Sequence, residues 1–188
     1  MDYKQSLQTF VIFLSAAINF GNSFCGNSQS PLQQEIERYL HIDDSQFNLF
    51  FSVRALSSMI IPFVMPYTIE KIGIRNTTII MSLCCVLGQY CFIIGLERKS
   101  YHFCLISRVI FGISDSMTIV QQILMCTWFT AEQLPIAFSL MLFMVKLVRA
   151  VNDNTASLIY NASKSLEQFF WIGLYVSIFS LICSFALC

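Results

Sequence analysis

The sequence predicts an all-α membrane protein, a bundle of six transmembrane helices, and three features of the chain carry that expectation. Hydrophobic residues make up 56% of the 188 and charged residues 12%, with 18 Phe and a mean hydropathy of +0.65. A soluble domain carries about 25% charged residues. The apolar residues gather into runs near the ~20 residues a helix needs to cross a bilayer. Where ionised groups enter such a run, they share one helix face rather than scatter around it.

The first run covers residues 8–25 and holds TFVIFLSAAINF. A cleavable signal wants a basic start and a small-x-small cleavage site. Here Asp2 offsets Lys4, and Asn19, Asn22 and Phe24 stand where that site would be, so the run is expected to stay as the first helix. The connection 26–46 is long and polar, with Glu35, Glu37, Asp43 and Asp44. Within it Pro31 can open a short amphipathic helix that turns Leu32, Ile36 and Leu40 to one side. The second and third runs, 47–69 and 76–96, are joined by 70–75; the fourth, 102–129, follows a tight connection at 97–101. The fifth, 134–160, and the sixth, 168–187, complete the set across 130–133 and 161–167.

Charge does not orient the bundle. With the amino terminus inside, Lys4, Lys71 and Arg75 face Arg38, Arg98, Lys99 and Lys164 across the membrane, and the positive-inside rule is silent. The sequon Asn161-Ala-Ser163 favours an outer fifth connection, with Asn76-Thr-Thr78 inert in the cytosol and both termini cytosolic.

Several function classes are excluded by composition. A chain of zero net charge has no basic surface for phosphates, so nucleic acid is not its partner. The eight Cys sit mostly within apolar runs in no metal-ligand spacing and read as small packing residues, with no disulfide needed for folding. No Walker loop, GxSxG or HExxH is present, His41 and His102 stand alone near loop edges, and Met125, Met141 and Met144 suit packing. Neither an enzyme nor a cofactor or metal is expected.

The informative residues are the ionised ones. The fifth run carries Lys146, Arg149 and Asp153 at i, i+3 and i+7, one stripe of a helix. Each such group costs about 2.5–3.5 kcal/mol near a bilayer centre, so it must face a partner, a cavity or water. In the fourth run Arg108, Asp115 and Gln122 recur every seventh residue; Ser15, Asn19 and Asn22 form a polar face on the first, and Arg54 with Ser58 on the second. Converging, these faces would line an aqueous cavity; alternatively, the neutral members bond to one another as interhelical glue.

The connection Pro66-Tyr-Thr-Ile-Glu70-Lys71-Ile-Gly73-Ile-Arg75 resembles the signature G-x-x-x-D-[RK]-x-G-[RK]-[RK] of the major facilitator superfamily. The acid, the next base, the glycine and the last base match; Pro66 and Ile74 depart from it. Gly21-Asn22-Ser23-Phe24-Cys25, Arg108-Val-Ile-Phe-Gly112-Ile113, Trp128-Phe129 and Val151-Asn152-x-Asn154 are similar to segments of one branch, lysosomal dipeptide carriers. The resemblance covers nearly the whole chain and the first half of such a transporter.

That resemblance implies a half bundle of two inverted three-helix repeats that rocks against a second half. It implies passage of dipeptides or similar amphoteric solutes, as symporter or uniporter, across an endolysosomal membrane. Lys146 occupies the place of a branch arginine that holds the peptide carboxylate, and keeps the charge without the bidentate fork. Arg149 either substitutes one turn away or pairs with Asp153 at i+4. Asp115, in Ser114-Asp115-Ser116, is the nearest match to a branch acid in GGES that would hold the amine. Asn22 and Asn152 join the expected solute site, and Glu70, Lys71, Gly73 and Arg75 the signature loop. The partners implied are the solute, the lipid bilayer and a second transporter half or an accessory membrane glycoprotein. The chain ends at Cys188, right after the sixth run. A partial sequence, a half that pairs with another half, or a degenerate half with a structural or chaperoning role would each account for that.

Overall fold

The computed structural model describes residues 3–163 and 165–187, with the side chains of 10–156, 158–160 and 165–186. The side chains of Asn161, Ser163 and Lys164, which bear on the outer sequon, and Cys188 lie outside the described residues.

The order is α1 (Tyr3–Asn27), a 3₁₀ turn (Ser30–Leu32), α2 (Gln33–Leu40), α3 (Asp44–Ile72), α4 (Ile74–Glu97), α5 (Tyr101–Ser114), α6 (Met117–Trp128), α7 (Leu134–Ser163) and α8 (Leu166–Leu187). Among the described residues, five stretches are long and apolar enough to cross a membrane: α3, α4, α5 with α6, α7 and α8. The chain is an integral membrane protein. α4 packs on α5 and α8, α1 lies against α8 and α7, and α3 leans on α5.

An aromatic core joins these helices. Phe92 of α4 meets Phe170 of α8 at 4.8 Å between centroids, and Phe50 of α3 meets Tyr101 at 5.2 Å. Gly112 permits the close crossing of α5 over α3: a Cβ there would stand 2.6 Å from the Arg54 carbonyl oxygen and overlap Ser57. By contrast, α3 and α7 are the spans least covered by their own bundle. Phe63 on α3 and Ile136, Phe143 and Leu158 on α7 are exposed.

The first connection folds as its pattern predicts. Pro31 sits in the 3₁₀ turn, α2 follows, and Leu32, Ile36 and Leu40 are buried. α2 ends on His41 in the left-handed region (φ 54), with the Ile42 N–H bonded to the Glu37 carbonyl at 3.1 Å. Asp43 then opens α3 through a capping box with Gln46. The Tyr160 hydroxyl donates to Glu35 at 2.7 Å, and that of Tyr39 to Glu167 at 2.9 Å. These bonds tie α2 to α7 and α8, so residues 26–46 lie on the same side of the bundle as Tyr160 and Glu167. The bond to Glu167 pushes the Tyr39 phenol above its ordinary pKa.

One expectation is corrected. The fourth run does not form an uninterrupted helix: it breaks between α5 and α6. Ser116 N–H bonds back to Ile113, Thr118 to Asp115 and Ile119 to Ser116, all three residues apart. Such 3₁₀ steps turn about 120° per residue instead of about 100°, so the helix faces shift. The seven-residue stripe is thereby lost: Arg108 is buried, Asp115 half-buried and Gln122 exposed. Gln121 points inward instead and donates to the Ser15 carbonyl of α1 at 2.7 Å.

Candidate functional site

At the α5–α6 break, Asp115 faces α3 and α1. Arg54 of α3 grips both of its oxygens, Nη2 to Oδ1 at 2.7 Å and Nε to Oδ2 at 2.8 Å. This is the bidentate fork that arginine offers a carboxylate. Arg54 Nη1 also donates to the Gly26 carbonyl near the end of α1. Asn22 Nδ2 adds a longer bond to Asp115 Oδ1 at 3.3 Å, and the Ser114 hydroxyl donates to Asn22 Oδ1 at 2.8 Å. The pair is largely shielded, with side-chain exposures of 12% for Arg54 and 24% for Asp115.

A second guanidinium stands close by. Arg108 is 1% exposed, and its Nε, Nη1 and Nη2 have no hydrogen-bond partner. It lies over the rings of Phe92 and Phe111, 4.5 and 4.8 Å from their centroids. Ring faces attract a cation, more strongly once it is desolvated. Arg54 and Asp115 are both among its electrostatic neighbours. Two arginines therefore stand near one carboxylate.

The α7 group is separate. Lys146 and Asp153 are exposed and Arg149 is half-buried, on the flank beside a buried face of Met141, Val148, Asn152 and Ala156. Among the described residues no ion pair joins Lys146, Arg149 or Asp153 to Asp115 or to one another. Arg149 Nε is buried without a partner, so the alternative of a local pair with Asp153 at i+4 is not formed. Asn152 is fully buried, and neither of its amide atoms is bonded.

The structure thus brings Asn22 and Asp115 together and leaves Lys146, Arg149 and Asn152 on another helix. Sequence reasoning missed Arg54 as the partner of Asp115. The signal was there: a lone cation in a membrane run requires a counter-charge, and Arg54 has none within a helical turn.

The α3–α4 turn carries the signature residues. Gly73 takes φ 86, where a side chain would be strained, and its N–H closes α3 on the Ile69 carbonyl at 2.9 Å. Lys71 lies 4.6 Å over the Tyr67 ring, and Glu70 and Arg75 are exposed. Among the described residues no cluster of His, Cys, Asp or Glu is suited to a metal ion. The described cysteines are free thiols; Cys25 donates to the Gly173 carbonyl at 3.1 Å.

Residues 12–188 match the Major Facilitator Superfamily. The chain belongs to that superfamily. It is 28% identical to the lysosomal dipeptide transporter MFSD1 of Mus musculus over 188 residues, covering 94% of this chain and 40% of the relative. The Pongo abelii protein of the same name gives the same figures, and that of Danio rerio is 24% identical over 94% of this chain and 41% of its own length. The chain therefore spans about 40% of the length of these relatives. A half bundle of the superfamily fold accounts for the helix order and for the thin coverage of α3 and α7.

Proposed function

We propose that this chain forms one half of a transporter that moves small carboxylate-bearing solutes, dipeptides foremost, across a lysosomal or related membrane. The observation that carries the reading is the cationic flank of α7. Lys146 and Arg149 sit on a span that its own bundle covers poorly, and neither has an acidic partner among the described residues. Charge left uncompensated in a membrane helix is costly unless it faces water or a ligand.

In this reading Lys146 takes the solute carboxylate and Arg149 supports it. Asn22 supplies a neutral polar group beside Asp115, the acidic group of the site, whose carboxylate Arg54 holds. The poorly covered α3 and α7 meet a second six-helix half, and rocking between the halves alternates access. The dipeptide as solute and the lysosome as location are suggested by the names of the relatives. Solute transport, not catalysis, is the activity proposed.

The test is uptake of a labelled dipeptide by vesicles that carry the full-length protein. Uptake above empty vesicles, competed by excess dipeptide, is expected; equal uptake by both would overturn the proposal.

A further inference from the structure

We infer that Arg54 is a specificity-determining residue: it withdraws Asp115 from amine recognition, so the site selects solutes by their carboxylate and tolerates a blocked amino terminus. The inference deepens the dipeptide reading above and rests on it.

A carboxylate offers about four lone-pair sites. Arg54 fills one on each oxygen of Asp115, and Asn22 fills a third. One site, on Oδ2, stays open, and a solute ammonium that sought more than that single contact would have to displace the guanidinium. Arg54 Nη1 is also hooked to the Gly26 carbonyl. Displacement would add a cation beside Arg54 and the fully buried Arg108, with one acid for all three. Stranding a shielded guanidinium costs more than one charge-assisted hydrogen bond returns.

The remaining charges point the same way. Within the six apolar runs the ionised residues are Arg54, Arg108, Lys146 and Arg149 against Asp115 and Asp153. Asp153 stands seven residues from Lys146, about 10 Å along the helix axis, a span that an extended dipeptide with a contact at each end can bridge, so it is the acid the test must separate from Asp115.

The test uses the full-length protein in proteoliposomes, with alanyl-alanine, its N-acetyl form and its C-terminal amide as competitors of labelled dipeptide uptake. The acetylated form is expected to compete within about threefold of the free dipeptide, and the amide to weaken at least roughly tenfold. Arg54→Gln frees Asp115 and should shift preference toward the free amine by about tenfold, and adding Asp115→Asn should erase that shift. Asp153→Asn should leave the ratio of acetylated to free dipeptide unchanged.

A wild-type protein that takes the free dipeptide but loses the acetylated one overturns the inference and leaves the carrier reading intact. So does an Arg54→Gln protein that assembles without any shift, or an Asp153→Asn protein with an altered ratio. Failure of all three competitors defeats the dipeptide reading and this inference with it. If Arg54→Gln does not assemble, the wild-type ratio decides.

Discussion

Removing Arg54 should unsettle the bundle, and removing its partner as well should restore it. In Arg54→Ala, Asp115 keeps only the 3.3 Å bond from Asn22, and the Gly26 carbonyl loses its donor. Breaking a buried pair from one side costs about 3–5 kcal/mol. The 24% exposure of Asp115 lets water solvate it in part, which points to the lower end, about 3 kcal/mol. Each kcal/mol lowers the melting temperature of a domain this size by roughly 2–4 °C, so a fall of roughly 6–12 °C is expected. The double variant Arg54→Ala/Asp115→Asn leaves no stranded charge and should recover most of the loss, as replaced pairs often prove neutral. Fluorescence-detected size-exclusion chromatography after heating, on a tagged protein in detergent, reads both. A single variant that melts within about 1 °C of wild type would refute the reasoning, because a shielded carboxylate cannot lose a bidentate partner at no cost.

Four further outcomes follow from other parts of the molecule. Gly112→Val should abolish the monodisperse peak, since a Cβ there overlaps Ser57 and the Arg54 carbonyl, whereas Gly73→Ala should cost about 1 kcal/mol through its φ of 86 alone. In detergent, a maleimide should label the exposed Cys126 quickly while the buried Cys25, Cys85 and Cys104 stay protected until unfolding, as mass spectrometry would show. Single cysteines at Glu35 and Ser165 should label from the same side of sealed vesicles, because α2 is bonded to Tyr160 and Glu167; labelling from opposite sides would break the packing described. The Tyr39–Glu167 bond, with the phenol's pKa raised in the folded protein, stabilises fully below about pH 10 and is lost as pH rises through the raised value. Tyr39→Phe should remove that alkaline step from a pH series of melting curves.

The spans and the α2 helix were legible because apolar run length and a 3.6-residue period are written locally in the chain. Pro31, Leu32, Ile36 and Leu40 announce their turn and buried face within ten residues. The break at Asp115 was not legible. Ser114 and Ser116 allow a 3₁₀ turn, but nothing in their identity forces one inside an apolar run, and the missed turn misassigned Gln122 for Gln121. The Arg54–Asp115 pair links positions 61 apart, and only the packing of α5 over α3 at Gly112 brings them together. A lone cation in a membrane run says that a partner exists without saying which. For Lys146 and Arg149 the bundle supplies none among the described residues, and that residual charge carries the functional reading.

The most direct test of that reading is Lys146→Ala in the full-length protein, with membrane level and dipeptide uptake measured together. Lys146 is exposed and has no acidic partner among the described residues, so its loss should leave protein level and melting temperature near wild type. Uptake should fall at least roughly tenfold, the worth of one charge-assisted contact to the solute carboxylate. Lys146→Arg, which keeps the charge and adds a fork, should retain uptake. Full uptake by Lys146→Ala at normal membrane level would contradict the account.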